Sequence, residues 1–181
     1  MKQSALDIEG LLYFAPEKFV DERGFLYERY NSDLLLRLRF EFVQQNVSVS
    51  KKGVIRGMHW QYSSFAQGKF VTCLHGEIFD VAVDIRRTSP TFGRHISIKL
   101  SGSLGNSIWI PKGFAHGFQT LTESAVVTYS VDAPFAPNYA SEFNPLDKEI
   151  NIEWPFKDFI LSVKDRDSRS LRELPNDLLF D

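Results

Sequence analysis

Phe79-Asp80-Val81-Ala82-Val83-Asp84-Ile85 is the stretch that decides the fold. Phe79, Val81, Val83 and Ile85 alternate with Asp80, Ala82 and Asp84, and a period of two is the signature of a half-buried strand. Ile96, Ile98 and Leu100 repeat the alternation, as do Val127, Tyr129 and Val131. Turn signals separate these runs: His75-Gly76, Ser89-Pro90, Ser101-Gly102 and Pro111-Lys112-Gly113. Many short strands at close spacing, from about Val54 to Val131, predict an antiparallel sandwich or barrel, and no strand–helix alternation supports a parallel sheet. In the first half the one clear helix is Ser32-Asp33-Leu34-Leu35-Leu36-Arg37-Leu38-Arg39, with a polar start and terminal arginines suited to capping. From about Pro134 the chain is richer in Pro, Asn and Asp, which predicts loops and short helical turns wrapped on the barrel. With no internal repeat, low-complexity tract or linker, residues 1–181 read as a single all-β domain with a few short helices.

Composition narrows the partners. A formal net charge of -2 supplies no global field to draw the chain to a nucleic acid or an acidic membrane. A phosphate-bearing ligand must therefore be held by local Arg and Lys. The aromatic share of 14% suits both strands and pockets for sugar-like ligands. The one cysteine, Cys73, sits in an apolar run with Phe70, Val71 and Leu74 and reads as a buried thiol in a reducing compartment. The opening residues Met1 to Asp7 carry no signal-like apolar stretch, and no run approaches the roughly 20 residues that cross a bilayer, so the expectation is a cytoplasmic protein.

Two of the four histidines stand in informative surroundings. His59 lies in Arg56-Gly57-Met58-His59-Trp60-Gln61, and His116 in Pro111-Lys112-Gly113-Phe114-Ala115-His116-Gly117-Phe118. His75 and His95 read as ordinary turn and surface residues. The segment Pro111-x-Gly113-x-x-His116 resembles the second motif of cupin barrels, whose His projects into the barrel. Metal-binding cupins carry His-x-His in a first motif, where this chain reads His59-Trp60-Gln61. A zinc or iron site needs three or four N, O or S ligands at one point, and the sequence offers two histidines and no thiolate cluster. No metal and no cofactor are expected.

Longer blocks carry a more specific resemblance. They are Asp21-Glu22-Arg23-Gly24-Phe25, Phe42-Val43-Gln44-Gln45-Asn46, Ile55-Arg56-Gly57-Met58-His59, Ala66-Gln67-Gly68-Lys69 and Glu77 through Arg86. Ser89-Pro90-Thr91-Phe92-Gly93, Trp109 through Phe118 and Leu161-Ser162-Val163-Lys164-Asp165 complete the set. In order and across nearly the whole chain, they resemble the dTDP-4-dehydrorhamnose 3,5-epimerases. That resemblance implies a cupin-type jelly-roll barrel (a double-stranded β-helix) and epimerisation beside the ketone of a nucleotide-linked 4-keto-6-deoxy sugar. Such chemistry removes a weakly acidic proton, stabilises the enolate and reprotonates from the opposite face. By the resemblance His59 is the base and Asp165 its partner, in keeping with a His poised near neutral pH and oriented by a carboxylate. Lys69 matches the cation beside the oxyanion, Tyr129 the opposite-face acid, and His116 a second pocket histidine. Arg23 and Arg56 match phosphate ligands, a role that suits the guanidinium fork. Phe25, Glu28, Gln44 and Asn46 match further nucleotide or sugar contacts. The resemblance also implies a homodimer with shared sites, the first block crossing to the partner subunit.

The match departs at one place. Where the family carries an aromatic ring that stacks on thymine, this chain reads Ala133-Pro134-Phe135-Ala136-Pro137, with Pro134 at the stacking position and Phe135 as the substitute. A family glutamate appears as Ala140, with Glu142 nearby, and a family histidine as Val47. The proton-transfer residues are intact while nucleotide recognition differs. This leaves open a CDP-, GDP- or UDP-linked sugar, an epimerase acting at C-3 or C-5 alone, and a non-catalytic cupin that only binds a sugar nucleotide.

Overall fold

A computed structural model describes residues 1–181. The first half holds β1 (Lys2–Ala5), β2 (Leu12–Ala15), β3 (Lys18–Asp21), β4 (Gly24–Tyr27), helix α1 (Ser32–Leu38), β5 (Gln44–Lys51), β6 (Ile55–Gln61), β7 (Lys69–His75) and β8 (Glu77–Asp84). There follow β9 (His95–Ser101), β10 (Ser107–Ile110), β11 (Phe114–Thr120), β12 (Ser124–Val131), β13 (Ala140–Glu142) and a short helix α2 (Val163–Arg166). One sheet runs β1-β2-β10-β7-β12-β5 and a second β13-β6-β11-β8-β9, while β3 and β4 form a separate hairpin. Every strand pair is antiparallel, and the sheets face one another as a cupin-type jelly roll. No helix is long and apolar enough to cross a membrane.

The interior follows from the period of two. Val71, Cys73, Ile108, Ile110, Ala125 and Val127 of the first sheet meet Ile78, Ala82, Leu100, Phe114 and Phe118 of the second. The stretch over β8 differs from the half-buried strand its alternation predicts, because both of its faces are buried. Its even positions Ile78, Asp80 and Ala82 face the other sheet, while Val81, Val83 and Ile85 pack under Trp154, Leu161 and Leu171 of the C-terminal wrap. The wrap, with short helical turns, is as the sequence predicts. The first sheet's outer face is closed by Leu34 of α1 and by Phe40, which cover Phe14, Phe70 and Trp109. The helix begins where expected: Asn31 caps it by accepting from the Leu34 N–H at 3.0 Å. It stops one residue early, with Arg39 in the left-handed region and its N–H returned to Leu35 and Leu36 carbonyls.

The strands also begin earlier than the alternation shows. β5 is inverted in polarity, with Gln44, Asn46, Ser48 and Ser50 turned inward while Val47 and Val49 stand in solvent. Cys73 is fully buried and free, and burial pushes its thiol up to about 11.

Candidate active site

A cavity of about 640 Å³ opens at one end of the barrel, in the range of a small-molecule site. His59, Lys69, Tyr129 and Asp165 all line it, as do Arg56, Gln44, Asn46, His116 and Phe135. They converge from elements distant in sequence. β6 and β11 are paired so that His59 and His116 lie opposite each other, with the register shifting just beyond His116. The close approach of these strands requires glycine: Gly57 has φ +141°, and a Cβ there would lie 2.6 Å from the Gly117 Cα. From the facing sheet, β7 delivers Lys69 and β12 delivers Tyr129, next to Asn46 on β5.

Each inward histidine carries its own carboxylate. His59 Nε2 lies 2.7 Å from Asp165 Oδ1, across 106 residues of chain. Asp165 stands in the first turn of α2, where its backbone N–H donates to the Ser162 hydroxyl at 3.0 Å. Burial resists ionisation of Asp165, but the hydrogen bond and charge of His59, with donors from Ser162 and Gly57, hold its carboxyl below the usual range. An ionised Asp165 takes the hydrogen on Nε2 and leaves the lone pair on Nδ1, the arrangement of a general base. The carboxylate side chain is 5% exposed and the imidazole 43%, so the support is covered while the base is open. His116 Nε2 lies 2.8 Å from Asp80 Oδ2, and both side chains are buried.

Lys69 is 7% exposed and donates to the His59 carbonyl at 2.8 Å. Burial pushes its ammonium down to about 8, against the opposing pull of Asp80. Burial raises the Tyr129 phenol above its ordinary value, against the nearby Arg56, so it holds its proton at neutral pH. Arg56 is braced by Ser50, to which its Nε donates at 2.9 Å. No three His, Cys, Asp or Glu side chains converge as metal ligands do.

Three glutamines pin the segment that departs from the family pattern. Gln67 donates to the Ala133 carbonyl at 2.7 Å, Gln61 accepts from the Ala136 N–H at 2.7 Å, and Gln44 accepts from the Phe135 N–H at 2.8 Å. The Phe135 ring, 61% exposed, stands at the cavity wall. Three expected residues lie elsewhere. Arg23 and Phe25 ride on the exposed β3–β4 hairpin, Arg23 paired with Asp21, and Glu28 accepts from the Asn31 side chain at 2.8 Å. None of them lines the cavity of its own chain. His75 and His95 also lie outside it.

Sequence reading gave no role to several groups at the site: Gln61, Gln67, Ser162, Lys164 and Asp80. Lys164 neighbours Asp165 and reaches Glu142 at 2.8 Å. Asp80 was visible as the polar member of an apolar alternation, which as a pattern is equally that of a solvent-facing residue.

The profile of the dTDP-4-dehydrorhamnose 3,5-epimerases matches residues 5–173. A protein of that name from Shigella flexneri is 45% identical over 162 residues, 88% of this chain and 90% of its own. A dTDP-4-dehydrorhamnose 3-epimerase from Streptomyces niveus is 34% identical over 96% of this chain and 85% of its own. The crystal structure of a 3,5-epimerase from Legionella pneumophila, in complex with dTDP-4-keto-L-rhamnose, superposes with a TM-score of 0.94 at 40% identity, covering 99% of this chain and 97% of that one. The chain belongs to the dTDP-4-dehydrorhamnose 3,5-epimerase family.

Proposed function

We propose that the cavity converts dTDP-4-dehydro-6-deoxy-D-glucose to dTDP-4-dehydro-L-rhamnose by inverting C-3 and C-5. The observation that carries this reading is that base and acid come from facing sheets. His59, backed by Asp165, projects from β6 of one sheet, and Tyr129 projects from β12 of the other. Inversion beside a ketone needs that arrangement: Nδ1 of His59 removes the proton from one face, and the Tyr129 hydroxyl returns one to the other. The C-4 oxygen becomes an enolate between the two steps, and the Lys69 ammonium is held in the same cavity to stabilise it. Neither carbon changes oxidation state, so the chemistry draws on no redox cofactor.

His116 and Arg56 contact the sugar and diphosphate, and Gln44 and Asn46 contribute further polar contacts. With Pro134 at the stacking position, Phe135 offers the ring for the base. The exposed side chains of Phe19, Val20, Phe25 and Leu26 on the hairpin, and of Val47 and Val49 on β5, support a homodimer. In it Arg23, Phe25 and Glu28 complete the partner's cavity. We place the enzyme in the cytoplasm.

The test is incubation with dTDP-4-keto-6-deoxy-D-glucose in deuterium oxide, followed by NMR. Deuterium at both C-3 and C-5 is the expected result. Incorporation at one position alone replaces the reading with a single-site epimerase, the activity named for the Streptomyces niveus relative. No incorporation with the dTDP sugar overturns the substrate, and CDP-, GDP- and UDP-linked sugars then identify the nucleotide.

A further inference from the structure

The inner face of β8 is apolar at Ile78 and Ala82, and Asp80 stands between them, 1% exposed. A buried carboxylate is unfavourable unless its charge and both oxygens are met. Only one oxygen is: Oδ2 meets His116 Nε2 at 2.8 Å, while Oδ1 is buried without a hydrogen-bond partner. Packing alone gives no reason for an ionisable side chain there.

The remaining demand for negative charge comes from β7. Lys69 is also buried, and its ammonium spends one hydrogen on the His59 carbonyl. The other titratable or charged groups that share the cavity are His59 and Arg56 of β6, His116 of β11, Tyr129 of β12, and Lys164 and Asp165 of α2, and the Cys73 thiol of β7, pushed up to about 11, faces Asp80 from the core and stays neutral. Asp165 is engaged by His59, whereas Lys69 shares the inner face of β7 with Val71 and Cys73, which pack with Ile78 and Ala82 on either side of Asp80, and the Asp80 charge favours the protonated lysine.

We infer that Asp80 is a positioning residue for the reaction, orienting the His116 ring and supplying the counter-charge that keeps Lys69 an ammonium. His116 then presents a fixed Nδ1 to the cavity, and Lys69 keeps its remaining hydrogens for the enolate oxygen. Asp80 acts through these two side chains and touches no reacting atom. This inference rests on the epimerase reading of the same cavity.

The experiment is the pH dependence of kcat/KM in Asp80→Asn, which preserves the shape of the side chain and removes its charge. The descending limb, set by loss of the Lys69 proton, moves to lower pH by about one unit or more, the usual influence of one nearby charge. A uniform fall in rate with the limb unmoved, or no change at all, overturns the inference. His116→Gln leaves the carboxylate in place and keeps the limb at or above the parent's position. A limb that falls in this variant too is the overturning result, and this variant decides alone if Asp80→Asn does not fold. A parent chain with no solvent exchange into the dTDP-, CDP-, GDP- or UDP-linked sugar refutes the epimerase reading. An active parent with an unmoved limb in Asp80→Asn refutes only the role of Asp80.

Discussion

Replacing Asp165 by Asn tests the catalytic pair with the least disturbance of shape. The carboxylate is 2.7 Å from His59 Nε2 and is almost wholly covered, so its charge acts on the imidazole with little solvent screening. Two losses follow. A charge-assisted hydrogen bond becomes a neutral one, a difference of about 1–2 kcal/mol, or roughly 5- to 30-fold in rate. The second loss is tautomeric. Asparagine offers an NH₂ to Nε2 where the carboxylate could only accept. Nδ1 then carries the hydrogen and no longer serves as a base; a wrong tautomer of this kind lowers turnover by about 10⁴-fold in a serine-protease triad. The expected fall in kcat/KM is therefore between about 10² and 10⁴, with the affinity for dTDP nearly unchanged because the pair faces the sugar. Deuterium incorporation at C-3 and C-5 measures the rate, and calorimetry measures binding. A loss under about tenfold would refute the argument that Asp165 sets the tautomer and basicity of His59.

Three other outcomes are expected. Tyr129→Phe retains solvent exchange from the His59 face and blocks completed inversion; normal inversion in this variant removes Tyr129 as the acid. The rate declines as pH rises through about 8, because burial lowers the Lys69 ammonium and the deprotonated amine no longer stabilises an enolate; a profile flat to pH 9.5 contradicts that role. For shared sites, Arg23→Ala mixed in equal amounts and reassembled with His59→Ala regains about a quarter of the parent activity per site, because about half of the dimers are mixed and each of those holds one intact site of two. Mixtures as inactive as their components remove the shared sites, and a monomer by light scattering removes the homodimer.

The order of elements was legible because local chemistry carries it. The alternation over Phe79–Ile85 reads as a strand whatever covers it, and Asn31 with Leu34 starts a helix by a contact three residues long. β5 was not legible, since its apolar side chains face solvent and its polar ones the cavity, the reverse of what hydrophobic patterning assumes. By resemblance the sequence also named His59, Asp165, Lys69 and Tyr129, and the structure gathers all four at one cavity. The tertiary fold alone decided what each touches. Asp165 reaches His59 across 106 residues, and the buried pair of His116 with Asp80 spans two strands. Arg23, Phe25 and Glu28 show the same division: their motif is plain in the chain, yet folding one copy carries them outside its own cavity. Strand periodicity assigns a side chain to a face, but which carboxylate meets which histidine depends on strand register and on the path of the C-terminal wrap, set by long-range packing that no local stretch encodes.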